Sequence, residues 1–236
     1  MRPGDRLQFH PAEAVPEAHQ LGQRLDVRCF SPAIVWRAWI PDYLPHLNRC
    51  ILLDCDLLVL LDIRRIWSLD LQGTCLSAFQ GGGQKPERYY DWIKTSREQY
   101  FRVPVCLLNL RRMRQDKAFI QERRGFLEDA WEKFKNKTIT HAGLLEQSLF
   151  NRYFSQKYRP LPFPVVQGDY LDESPESRRR IKKMFRKHQP MILDLKGWQN
   201  RSSLSLSFWS LLLHTPWWER ASQQKLKPPE PPQSPS

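Results

Sequence analysis

Two apolar runs, Arg49-Cys-Ile-Leu-Leu53 and Leu57-Leu-Val-Leu-Leu61, are interrupted by Asp54-Cys55-Asp56, and this break constrains the chain more than any other feature. The first run is almost continuously apolar, the pattern of a strand buried on both faces. A strand that stops at two carboxylates holds them beyond its carboxyl end, where ligands collect in open α/β sheets. Val105-Cys-Leu-Leu-Asn-Leu110 predicts a further buried strand leading into a basic helix.

Helical and extended segments alternate along the rest. Leu7-Gln-Phe-His10 and Leu25-Asp-Val-Arg-Cys-Phe30 are β-like, and the stretch from Val15 to Leu25 between them carries a helical apolar pattern. Ser31-Pro32 predicts a helix start that ends near Pro41 and Pro45. The alternation argues an α/β fold. A chain of 236 residues that is 41% hydrophobic can bury a core, which predicts one domain over residues 1–222, basic and aromatic from about residue 176. Residues 223–236 are rich in proline and poor in apolar groups, so a disordered tail is expected.

The net charge of +12 favours polyanions: nucleic acid, an anionic membrane face or a phosphate-bearing substrate. The excess sits in Arg111-Arg-Met-Arg114, Arg123-Arg124 and the run from Arg178 to Lys187, which read equally well as solvated helix faces. Nucleic acid is suggested by charge alone. The five cysteines form no CxxC pair or zinc spacing and read as buried reduced thiols. The start lacks the apolar core of a signal peptide, and the apolar runs fall short of the ~20 residues of a membrane span. The expected location is cytoplasmic.

Aspartates one residue apart at a strand end supply hard oxygen ligands suited to Mn²⁺ or Mg²⁺, and a bound ion there can neutralise a diphosphate. Taken alone, the triplet reads equally as a solvated turn. Its setting is more specific. Ser31-Pro-Ala-Ile-Val-Trp-Arg37, Ile40-Pro-Asp-Tyr-Leu-Pro45, Leu52-Leu-Asp-Cys-Asp-Leu-Leu-Val59, Asp62-Ile-Arg-Arg-Ile-Trp67 and Asp70-Leu-Gln-Gly73 together resemble the family 8 glycosyltransferases, which include bacterial lipopolysaccharide galactosyl- and glucosyltransferases. The resemblance implies a GT-A fold, a mixed and mostly parallel sheet flanked by helices, with the family's opening nucleotide-binding strand and helix missing. It also implies a UDP-sugar donor, Mn²⁺ or Mg²⁺, and transfer with retention to a saccharide or lipid-linked glycan acceptor.

On that resemblance, Asp54 and Asp56 match the metal-binding aspartates, and Arg37 matches an arginine near the donor, where a guanidinium can bridge carboxylates or diphosphate. Glu146 and Gln147 match a catalytic acid and glutamine. Met191-Ile-Leu-Asp-Leu-Lys-Gly-Trp198 aligns with a metal and donor segment, placing Asp194 as third metal ligand and Lys196 and Gly197 beside the donor. Alternatives remain: Arg37 as a helix-surface ion pair, Glu146 and Gln147 as the first turn of a helix whose apolar side is Leu149, Phe150 and Phe154, and Asp194 as a turn residue.

The sequence also departs from the pattern. Arg102 stands where asparagine is usual, Pro104 replaces a glycine, Glu146 is one methylene longer than aspartate and Ser148 has lost a charge. These changes are expected to alter or obstruct the sugar pocket, and they open a second reading, a catalytically silent relative that binds a glycan or partner. The aromatic segment Phe208-Trp-Ser-Leu-Leu-Leu-His-Thr-Pro-Trp-Trp218 reads either as a contact with an anionic membrane or as a cap on the core.

Overall fold

The computed structural model describes residues 10–25, 33–54, 57–59, 62–81, 85–138, 145–162, 165–167 and 192–194, with backbone alone for Ala33, Leu58, 165–167 and 192–194. The extended runs read before His10 and after Leu25, the helix start at Ser31-Pro32, Gly82-Gly83, the basic run from Arg178, the aromatic segment and the expected tail boundary lie outside these residues. The chain divides into two compact units, Met1–Leu52 with Leu69–Leu161, and Leu53–Ser68 with Pro162–Ser236.

In the first unit, helix α1 (Pro16–Arg24) starts on a proline, tolerated because the first helical N–H has no intrahelical partner, and buries Ala18 and Leu21. The segment after it is broken: α2 (Ala33–Trp36), a 3-10 turn (Arg37–Trp39) and α3 (Ile40–Tyr43). Pro41 explains the break, since it cannot donate to the Arg37 carbonyl four residues back; the Ile40 N–H donates to that carbonyl instead.

The unit's sheet contains β1 (Cys50–Leu53), β3 (Leu76–Gln80), β4 (Phe101–Leu108) and β5 (Tyr158–Pro160), in the order β1-β4-β3-β5. The predicted strand around Val105 is the central β4, and all eight of its residues are buried. β1 differs from its reading. Among the described strands it ends the order, and it is only partly buried, with Leu53 39% exposed, because an apolar run does not reveal how much of a strand will be covered. The sheet is mixed: β3 runs antiparallel to β4 and parallel to β5.

The β3–β4 ladder contains a large irregularity. Ala78 pairs with Cys106 and its neighbour Phe79 with Arg102, so Val103, Pro104 and Val105 bulge out of the ladder. Pro104 thereby sits where no N–H is owed to β3, which is how a central strand accommodates it.

Among the described residues the first unit also contains α5 (Glu87–Trp92), α6 (Leu110–Gln115), α7 (Lys117–Lys135) and α8 (Leu145–Phe154). Side chains cap two of them, Asn109 accepting from the Arg112 N–H at 3.0 Å and Asp116 from the Phe119 N–H at 3.1 Å. Helix α8 packs on β4, α2 and α7. The core is aromatic, with Trp39, Tyr90, Tyr100, Phe101, Phe119, Phe150 and Phe154 fully buried.

Part of the basic excess serves this packing. Arg123 is 4% exposed, donates to both oxygens of Asp42 at 2.6 and 3.1 Å, and lies 4.6 Å from the Trp39 ring centroid. Arg114 donates to the carbonyls of Pro41, Leu44 and Leu47 at the end of α3. These two guanidiniums are committed to the fold rather than presented to a polyanion.

The second unit contains α4 (Arg64–Trp67) and a three-stranded sheet in the order β2-β7-β6, made by β2 (Leu57–Val59), β6 (Val165–Gln167) and β7 (Ile192–Asp194). β7 runs antiparallel to β2 and parallel to β6. Among the described residues no helix is long and apolar enough to cross a membrane.

Cys50, Cys75 and Cys106 form no disulfide. Burial pushes the thiols of Cys50 and Cys75 up to about 11. The folded state therefore holds these protons more tightly than the unfolded chain, whose thiols titrate near ~8.5. Stability is at its full value below that pH and falls as pH rises from about 9 through 11. At pH 8 the folded Cys50 and Cys75 thiols are expected to react with a chromogenic disulfide roughly 200-fold more slowly than in urea, the ratio of thiolate fractions set by those titration points. Asn151, fully buried, accepts from the Phe101 N–H at 2.9 Å and donates to the Phe101 and Gln147 carbonyls, each at 2.8 Å. Replacing it with leucine strands those buried groups and is expected to cost about 2–3 kcal/mol in urea unfolding.

Candidate active site

The first turn of α8 inverts the usual order of burial, placing Glu146, Gln147 and Ser148 at 3%, 6% and 0% exposure. Polar groups persist in such surroundings only when paired. Glu146 Oε1 meets Arg37 Nη1 at 3.0 Å, and Arg37 is itself only 18% exposed. The second terminal nitrogen, Nη2, donates to the Val103 carbonyl at 3.1 Å. Arg37 comes from the 3-10 turn that Pro41 forces, Glu146 from α8, and Val103 from the bulge of β4. Three separate elements therefore meet on one guanidinium, whose fork suits a carboxylate on one arm and a carbonyl on the other.

Gln147 is held by the same bulge. Its Oε1 accepts from the Val103 N–H at 3.4 Å, and its Nε2 donates to the Tyr100 hydroxyl. Both main-chain polar groups of Val103 are thus taken up by the cluster, the carbonyl by Arg37 and the N–H by Gln147. Val103 lies two residues along the strand from Phe101, whose N–H and C=O are both taken by Asn151, so this edge of β4 offers its main chain to α8 at both positions. Tyr100 in turn hydrogen bonds Tyr89, whose hydroxyl lies 2.8 Å from Ser148 Oγ. Burial raises both phenols above their ordinary value, with Tyr100 furthest, so the network remains uncharged through the physiological range. Where an acid is usual, Ser148 supplies a neutral partner for a buried phenol.

The other predicted residues belong to the second unit or fall outside the description. Asp54 follows β1 and is partly exposed. Asp56, Lys196 and Gly197 lie outside the described residues. Asp194 ends β7, and its Cα pairs with that of Leu57, the residue after Asp56. Antiparallel partners lie about 5 Å apart, so the backbone of Asp194 runs beside the chain leaving the acidic triplet. Among the described residues no group of three acidic, histidine or cysteine side chains forms a metal site.

Arg102, another departure in the sequence, is 8% exposed within β4. Sequence reasoning passed over Tyr89, Tyr100 and the peptide of Val103. A contact made through main-chain atoms leaves no mark in residue identity.

A model of glycosyl transferase family 8 matches residues 7–182. The chain belongs to this family. Its fold is the GT-A fold of glycosyltransferases, and this family 8 chain superimposes on two solved members of that class. Galactosyltransferase LgtC, solved in complex with donor and acceptor sugar analogs, matches with a TM-score of 0.53 and 18% identity over 79% of this chain and 68% of its own. The WbbM bifunctional glycosyltransferase matches with a TM-score of 0.55 and 16% identity over 84% of this chain and 38% of its own. At these identities the likeness establishes the fold alone.

Two curated relatives match over shorter stretches. General stress protein A of Bacillus subtilis (strain 168) is 32% identical over 85 residues, 35% of this chain and 29% of its own length. Probable galacturonosyltransferase 6 of Arabidopsis thaliana is 41% identical over 44 residues, 19% of this chain and 8% of its own.

The buried Arg37–Glu146 pair has an expected mutational signature. Glu146→Ala strands a largely buried cation and should cost about 3–5 kcal/mol in urea unfolding, whereas Arg37→Met combined with Glu146→Leu should recover most of that loss, because both charges leave together. A surface pair would yield under about 1 kcal/mol for the single change.

Proposed function

We propose that this family 8 chain transfers a hexosyl group from a UDP-sugar to a hydroxyl of a saccharide or lipid-linked glycan, with retention of configuration and with Mn²⁺ or Mg²⁺ held by Asp54, Asp56 and Asp194. The observation that supports this most is the convergence of Arg37, Glu146 and Gln147 on the Val103 peptide. In the reaction the bond from the anomeric carbon to the diphosphate breaks, one to the acceptor oxygen forms, and the acceptor proton leaves with the diphosphate.

Arg37, 3.0 Å from Glu146 Oε1, holds that carboxyl group in one orientation, which suits a group that must accept from sugar hydroxyls. Gln147, anchored at both ends of its amide, is positioned to face the anomeric carbon. The extra methylene of Glu146 is taken up by the pairing with Arg37, which sets the carboxylate position from outside α8. Lys196 and Gly197 complete the donor contacts.

For the metal, the fit is one of donor chemistry and register. Three aspartates provide hard oxygen ligands of the kind both ions prefer, and the β2–β7 pairing runs Asp194 alongside the segment that follows Asp56. When bound, the ion supplies positive charge against the diphosphate leaving group. Peripheral contact with an anionic membrane would bring the chain to a lipid-linked acceptor, and the net charge of +12 is compatible with it.

Incubation with UDP-galactose or UDP-glucose should release UDP when MnCl₂ is present and not when it is chelated. Asp54→Ala or Asp56→Ala should lower that release on the order of 100-fold or more, the scale expected when a charge-stabilising group is removed. No release from any common UDP-sugar, together with no manganese-dependent UDP binding by calorimetry, would sink this reading in favour of a catalytically silent glycan-binding relative.

A further inference from the structure

A groove of about 420 Å³ opens between α5, α7 and the last turns of α8, at the far end of that helix from Glu146 and Gln147. Its floor is Gly125, in the middle of the 19-residue α7. Glycine is the least favourable residue in a helix interior after proline. Nothing in the packing requires it here, since a Cβ built at Gly125 meets no heavy atom within 4 Å. The space a side chain would take is the groove itself, so the glycine keeps it open at the expense of helix stability.

The walls are held rigid by their own polar contacts. Trp92 stacks on Phe126 with centroids 5.2 Å apart and planes 11° apart, and its indole N–H donates to Asp129 Oδ2 at 3.1 Å. Arg152 donates to the Trp92 carbonyl at 3.1 Å and lies 5.6 Å from the Phe126 centroid. The Tyr153 hydroxyl donates to Glu122 Oε2. Trp92 and Tyr153 stay partly exposed at the rim. A cleft whose aromatic walls are fixed beforehand loses little entropy on taking up a ligand.

Chemistry narrows the ligand. The volume lies within the roughly 300–1,000 Å³ typical of small-molecule sites. Its lining carries two carboxylates, Glu122 and Asp129, against one guanidinium, Arg152, on a chain whose net charge is +12. Lys133 pairs with Asp129 Oδ1 at 2.5 Å and lies 5.9 Å from the Trp92 centroid, so the charges at the groove balance and no net charge there selects a polyanion. Apolar ring surface beside carboxylate acceptors and a guanidinium donor matches a pyranose, which offers C–H faces and hydroxyls together.

We propose that this groove is an accessory saccharide-binding subsite, separate from the Arg37, Glu146 and Gln147 cluster, that holds a neutral part of the acceptor glycan. The inference rests on the reading that the chain acts on glycans. It assigns α7 and the end of α8 a binding role in addition to packing.

Maltotriose and lactose are the probes, observed by saturation-transfer NMR and calorimetry on the full chain. Binding in the millimolar range is expected, at least about tenfold weaker in Gly125→Leu, which fills the groove. Gly125→Ala, which helix propensity favours, secures a folded control and should weaken binding by a smaller factor while raising Tm. Saccharide binding by a parent chain that releases no UDP from any common UDP-sugar would count against the donor reading and leave the groove standing. No saturation transfer to either sugar, or binding unchanged in Gly125→Leu, would overturn the proposal, as would capture of a lysine-rich peptide by the groove in place of sugar.

Discussion

The contact on which the first unit turns is the buried pairing of Arg37 with Glu146, completed by the Val103 carbonyl. A carboxylate 3% exposed at the start of a helix has no stable alternative to a cation aimed at it, and a largely buried guanidinium has equal need of acceptors. Satisfying both draws a 3-10 turn, a helix and a strand to one point. The rest of the cluster follows: once Glu146 is located, Gln147 falls against the other side of the Val103 peptide, and Ser148 against Tyr89.

The bulge in β4 is the second half of this arrangement. A proline in a central strand would ordinarily leave a ladder bond unmade. Here Val103, Pro104 and Val105 leave the ladder, and the first of them gives its carbonyl to Arg37 and its N–H to Gln147. The substitution of glycine by proline, expected to disturb the pocket, coincides with the stretch of backbone that organises it. Basic residues show a similar economy, for Arg114 and Arg123 spend their donors on carbonyls and a carboxylate of the fold, and the +12 charge overstates what the surface offers to a polyanion.

Much of the architecture could be read from residue pattern. The helical period from Val15 to Leu25 appeared as α1, the apolar run at Val105 as the central strand, and the apolar side of α8 as predicted from Leu149, Phe150 and Phe154, because each signal is local and periodic. β1 misled because its composition suits a strand covered on both faces while its residues are only partly buried. Of the candidate site, Arg37, Glu146 and Gln147 were legible as residue types in a motif and are gathered by the fold, whereas Tyr89 and Tyr100 carried no spacing that could mark them.

Sequence by itself determined the family, the α/β alternation and the identity of the acidic and basic groups available for chemistry, since these are written in residue type and short-range period. Tertiary structure alone decided that Arg37 meets Glu146 across more than a hundred positions of chain, that the main chain of Val103 serves both Arg37 and Gln147, and that Gly125 lines a groove. Each of these depends on burial and on which strands pair, quantities set by the whole chain's competition to hide apolar surface and satisfy buried polar groups, and a short window of residues contains no record of that outcome.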